Sequence, residues 1–124
     1  LNQISKGIQK GKIKLDSRFE DIHMYIESLS YYPTHYELKE AIGRTHRLLG
    51  NYSQSIKIFK DLLKSFPISA QRNFELAKSY YAGGNISKAL EHVEIALNVW
   101  ENADATYKPA IEAREKWSQW NGLN

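Results

Sequence analysis

The tripeptide Gly50-Asn51-Tyr52 returns 34 residues later as Gly84-Asn85-Ile86, and its surroundings return with it. At that offset Gly43 lies over Ala77, Leu48 over Ala82, Ile56 over Leu90, Phe59 over Val93 and Leu63 over Leu97. A period of this length is that of stacked helix pairs, in which no single pair buries its apolar face alone and each leans on the next. It predicts an all-α chain and says where the helices turn.

In the first copy, Thr34 or His35 opens a helix carrying Tyr36, Leu38, Ala41, Ile42, Thr45 and Leu49. It stops at Gly50, a residue suited to the left-handed backbone past a helix end. Ser53 is the expected cap of a second helix holding Ile56, Ile58, Phe59, Leu62 and Leu63, closed by Phe66-Pro67, and the small Gly43 allows the two helices a close approach. In the second copy Ser69 begins a helix with Phe74, Leu76, Ala77, Tyr80 and Tyr81 that ends at Gly83-Gly84. Ser87 is the expected cap of its mate, with Leu90, Val93, Ala96, Leu97 and Trp100. A last helix starts close to the same schedule, with Asp104 or Thr106 as cap; Pro109 fits only a first turn, which favours a boundary at Thr106 or Lys108. Ala110, Ala113, Trp117 and Trp120 mark its inner face, and Glu112, Arg114, Glu115 and Lys116 its outer one. Upstream, Phe19, Ile22, Tyr25, Ile26 and Leu29 recur at helical steps between Asp16 or Ser17 and Pro33, while residues 1–15, with Gly7 and Gly11, read as a degenerate helix or a tail.

Residue types at fixed places in the period carry a resemblance. Ile42-Gly43, Ile56, Phe59 and Pro67 in the first copy, and Leu76-Ala77, Tyr80, Ala89, Val93 and Ala96 in the second, resemble the tetratricopeptide repeat, whose pattern is W-x2-L-G-x2-Y, then A-x3-F, then P. The resemblance implies a right-handed α-solenoid of antiparallel helix pairs with about three repeats. Residues 1–33 are then a degenerate first repeat, or a tail plus helix; 34–67 and 68–101 are repeats; 102–124 is a capping helix. One departure is Glu101, where the family carries Pro. The run from Trp100 to Arg114 also resembles the ends of tetratricopeptide segments in larger bacterial proteins, and the chain begins on Leu1, as a piece of a longer polypeptide would.

Composition narrows the classes. A chain of 42% hydrophobic and 25% charged residues suits a soluble globular protein, and no apolar run approaches the roughly 18–20 residues of a membrane helix. With no Cys there is no disulfide framework and no cysteine-based zinc site. The net charge of +3 owes much to Lys6, Lys10, Lys12 and Lys14, a weakly basic arm rather than a nucleic-acid domain. No residue names a compartment; the cytoplasm is the default.

His23, His35, His46 and His92 share no metal-ligand spacing, and His23 with Glu27, one turn apart, reads as a surface ion pair. No Gly-x-Ser-x-Gly, phosphate loop or dinucleotide fingerprint occurs. No catalytic residue, metal or cofactor is assigned, and an enzyme is not expected. Asn51-Tyr52-Ser53 and Asn85-Ile86-Ser87 match the glycosylation sequon but fall where turn-and-cap chemistry calls for Asn and Ser.

What the resemblance implies for function is a scaffold, with the first helix of each pair lining a concave groove for a peptide or protein segment. Candidate contacts are Glu37, Glu40, Arg44 and Arg47 in the first copy, Gln71, Phe74, Glu75, Lys78 and Tyr81 in the second, and Lys108 with Glu112 on the last helix. Phe74 and Tyr81 are expected to stand on a wet face as aromatic anchors. The cationic clamp of chaperone-docking members is not matched, since its positions here read Glu40, Arg44, Glu75, Ala105 and Pro109. A second reading is self-association, or docking on another domain of the same polypeptide, through Trp117 and Trp120. A third, the weakest, sets the N-terminal lysines with Lys57, Lys60 and Lys64 against a phosphate backbone, although Asp61 offsets that charge.

Overall fold

The computed structural model describes residues 36–122. The helix expected before Pro33, the tail or helix at 1–15, the start at Thr34 or His35 and the His23–Glu27 pair lie outside the described residues. Those described form five helices and no strand: α1 (Tyr36–Leu48), α2 (Tyr52–Ser65), α3 (Ala70–Ala82), α4 (Ile86–Val99) and α5 (Lys108–Trp120). The chain divides into two compact units, one running to Ile58 and the other from Phe59. This is the architecture of a helical-repeat, α-solenoid-type protein.

The 34-residue period is written into two corners. Gly50 has φ 83°; its N–H donates to the Arg47 carbonyl at 3.1 Å, and the Asn51 N–H donates to the His46 carbonyl at 2.8 Å. One period on, Gly84 has φ 91°, with matching bonds from Gly84 to Tyr81 at 3.0 Å and from Asn85 to Tyr80 at 2.9 Å. Each pair of bonds occupies carbonyls that the helix end leaves without partners. Asn85 then opens the next helix, because its Oδ1 accepts from the Lys88 N–H at 3.1 Å. That corrects the expectation for Ser87, which is the second residue of α4. Likewise α2 already begins at Tyr52, so Ser53 lies inside its first turn. At the second corner the Asn85 carboxamide, directly after the left-handed glycine, reaches the new helix by itself and needs no serine. At the longer connection before α3 a serine is needed, and Ser69 Oγ accepts from the Arg72 N–H at 3.3 Å.

In the first unit α1 buries Ala41, Ile42, Gly43, Thr45 and His46, and the Thr45 hydroxyl donates to the Ala41 carbonyl at 2.8 Å. In the second unit α3 buries Leu76, Ala77 and Ser79, the hydroxyl of Ser79 donating to the Glu75 carbonyl at 3.2 Å. Thr45 and Ser79 are one period apart, so even this back-bonded hydroxyl repeats. On the second helices, Ser55, Phe59 and Leu62 of α2 are buried, as are Ala89, Val93 and Ala96 one period later on α4.

The second unit is built around α4, which packs against both α3 and α5. Ala70, Phe74, Ala77, Val93, Ala96 and Ala113 form the core, ringed by Leu90, Leu97, Trp100, Trp117 and Trp120. Small residues on all three helices let backbones close while the large rings fill the margins, at the density a protein interior requires. Trp100 meets Phe74 edge-on, with ring centres 6.1 Å apart.

α5 does not keep the schedule. α4 begins 34 residues after α2, but α5 begins 38 residues after α3. The longer connection is turned by Asp104, whose Oδ1 accepts from the Thr106 N–H at 2.9 Å and from the Thr106 hydroxyl at 2.8 Å. Asp104 and Thr106 therefore shape the loop instead of capping the helix. Tyr107 stands at the cap position with no side-chain bond, and Pro109 falls in the first turn, where its missing N–H costs nothing.

One polar pair joins α3 to α4. Asn73 is buried; its Nδ2 donates to the carbonyls of Pro67 at 3.0 Å and Ser69 at 2.9 Å, which leaves Oδ1 to face His92 Nδ1 at 2.9 Å. An amide oxygen only accepts, so Nδ1 of His92 carries the proton. The imidazole also stacks on Tyr80, with ring centres 5.6 Å apart. Burial holds the His92 pKa below the ordinary imidazole value; Glu91, 3.6 Å from Nε2, opposes this, while Lys88 and Lys60 add to it.

Two measurements test these features. A Cβ on Gly84 would meet nothing within 4 Å, so Gly84→Ala strains only the backbone and is expected to cost about 1–2 kcal/mol in urea unfolding, with Gly84→Asn costing less. His92 is more basic in the unfolded chain than in the fold, so the unfolded state binds more protons as the pH drops through the ordinary value of about 6.5. Its contribution is present above that pH and lost below it. The wild-type Tm is expected to fall more steeply than that of His92→Gln between neutral and mildly acid pH, and equal slopes would refute the assignment.

Candidate functional site

Gln71, Phe74, Lys78 and Tyr81 stand at steps of three, four and three along α3, which places them on one side of the helix. In the second unit this stripe faces α5. Tyr81 lies flat on Trp120, ring centres 4.7 Å apart and planes within 13°. Lys78 Nζ is 2.9 Å from Glu75 Oε1 and 3.7 Å from Glu112 Oε2, and it sits 4.5 Å from the centre of the Phe74 ring. With Gln71 near Lys108 and Tyr81 near Trp120, α3 and α5 run in the same direction.

Two expectations are corrected here. Phe74 is 1% exposed and belongs to the core; Glu75 is 3% exposed, its carboxylate held by Lys78. The cause is that α3 has neighbours on two sides. Phe74 packs between them, edge-on to Trp100 and in one core with Val93 and Ala113, and not toward water. Tyr81 remains 44% exposed despite its stack, and Gln71 and Lys108 are open to solvent.

At its N-terminal end the α3–α5 seam opens into a groove of ≈ 350 Å³ lined by Gln71, Phe74, Lys108, Pro109, Ile111, Glu112 and Glu115. It brings together three of the expected contacts, Gln71, Phe74 and Lys108, with the additional candidate Glu112. Pro109, Ile111 and Glu115 were not expected. The spacing of Lys108, Ile111, Glu112 and Glu115, at steps of three, one and three, marks one face of α5 and is the signal that could have found them. The floor is the Phe74 ring and the walls are Pro109 and Ile111. Polar groups stand on the rim.

Glu37, Glu40, Arg44 and Arg47 belong to the first unit, where they repeat on α1 the stripe found on α3. Glu37 and Arg44 are exposed, and Glu40 and Arg47 half-buried. Trp117 and Trp120 do not form a bare aromatic end: both pack against the core, and the Trp117 indole N–H donates to Glu94 Oε1 at 3.1 Å. Lys57, Lys60 and Lys64 are exposed on α2, with Lys64 3.2 Å from Asp61. Among the described residues no three His, Cys, Asp or Glu side chains gather as metal ligands, and no helix is long and apolar enough to cross a membrane.

No curated protein matches the chain. Residues 41–67 match the family model described as Tetratricopeptide repeat, a stretch that takes in the buried half of α1, the Gly50-Asn51 corner and the whole of α2. Repeats of this family are in general protein-interaction modules and not enzymes. That match, with the repeated corners and the repeated buried positions, supports a tetratricopeptide-type repeat protein.

Proposed function

We propose that the chain is a non-enzymatic scaffold that holds a segment of another protein against the face shared by α3 and α5. The observation that carries this reading is the open groove over Phe74, a depression between α3 and α5 with an apolar floor and a polar rim. Sites of that composition take up side chains of a partner, the apolar floor supplying affinity and the rim orientation. The Tyr81–Trp120 stack continues the same seam with a partly exposed ring, a second place for contact.

A second reading has one observation in its favour. Phe66 and Ile68, on the connection between α2 and α3, are 48% and 76% exposed, an apolar pair that suits association of copies or docking on a neighbouring domain. Light scattering over a wide concentration range separates the two, because a constant monomer mass removes association of copies.

The groove is tested by filling it. Peptides selected from a displayed library on the immobilised chain are expected to lose about tenfold in affinity for Gln71→Trp and to keep their affinity for Lys64→Ala on α2. Unchanged binding to Gln71→Trp would sink the reading. Phe74→Ala is the wrong probe, since emptying that core site is expected to cost about 3–5 kcal/mol of stability.

A further inference from the structure

We infer that the segment received by the α3–α5 groove presents an apolar side chain flanked by a lysine or arginine; this rests on the groove reading above. The groove's own charges do not balance. Lys108 stands against Glu112 and Glu115, both exposed. Lys78 lies closer to Glu75, at 2.9 Å, and reaches Glu112 only at 3.7 Å. Lys108 precedes Glu112 by four residues, the less favourable order for a helical ion pair. Glu115 pairs with no described residue, and it sits three residues from Glu112, where like charges repel.

The lining thus carries one acid in excess beside an apolar floor of Phe74, Pro109 and Ile111. A cation from the partner relieves the Glu112–Glu115 repulsion, while the adjacent apolar side chain fills the depression over Phe74. Gln71, able to donate and accept, lies on the opposite rim in reach of the partner's backbone. An acidic segment would meet two carboxylates against one ammonium. A volume of ≈ 350 Å³ is at the small end for a ligand pocket, so the site takes a short stretch of chain.

The test uses the full 124-residue chain and three series of short fluorescent peptides, each with a central Leu or Phe flanked by Lys and Arg, by Gln, or by Glu, read by anisotropy. The basic series is expected to bind best, to weaken as salt is raised, and to lose about fivefold in affinity for Glu115→Lys, which lies on the surface and leaves the core untouched. If the Gln or Glu series binds as well as the basic one, the charge inference falls and the groove reading stands. If basic peptides bind but neither Glu115→Lys nor Gln71→Trp weakens them, they bind elsewhere and the inference falls. If no series binds, the groove reading fails and takes the inference with it.

Discussion

A glycine in the left-handed region followed directly by an asparagine is the constraint from which the helix pairing follows. Gly83-Gly84-Asn85 closes α3 with three backbone bonds and opens α4 with one side-chain bond, so nothing but three residues separates two helices. A connection that short leaves antiparallel neighbours as the available arrangement. Only because α3 and α4 are held side by side can Ala77, Ala89 and Ala96 vanish completely from solvent. The alanines make the contact tight, but the corner decides which helices touch.

α5 acts on a different principle. It is tied to α4 by a long connection with its own carboxylate-centred turn, and it is fixed by rings and charges more than by its corner. The Tyr81–Trp120 stack, the Trp117–Glu94 bond and the Lys78–Glu112 pair fasten its middle and C-terminal part. Its first turn carries Lys108 and Pro109, lacks a side-chain cap, and stands off enough to leave the groove over Phe74. The candidate site is therefore the loosely fastened end of an otherwise well-packed seam.

The fold was legible because the repeat writes the same physics twice. Gly50 and Gly84 signal the corners, and the positions of Phe59 and Leu62 reappear at Val93 and Ala96. Cap identity was less legible, since Asn and Ser both suit a helix start and only the corner geometry chooses Asn85 over Ser87. The candidate site was less legible. The spacing of Gln71, Phe74, Lys78 and Tyr81 puts them on one side of α3, but whether that side is wet depends on α5, and the four extra residues before α5 hid its register. Glu115 falls on the outer face of the last helix by its spacing, and nothing local distinguishes a carboxylate on a rim from one on an open surface.

The buried Asn73–His92 bond bears on how a chain of similar helices avoids pairing wrongly with itself. One period earlier the same two positions are Lys39 and Ile58, which cannot form it. If α3 folded against α2 in place of α4, Asn73 would face an isoleucine, and a buried amide oxygen without a donor is costly. The penalty falls on the wrong partner alone, so the bond works as an address that distinguishes one hairpin from its near-copy.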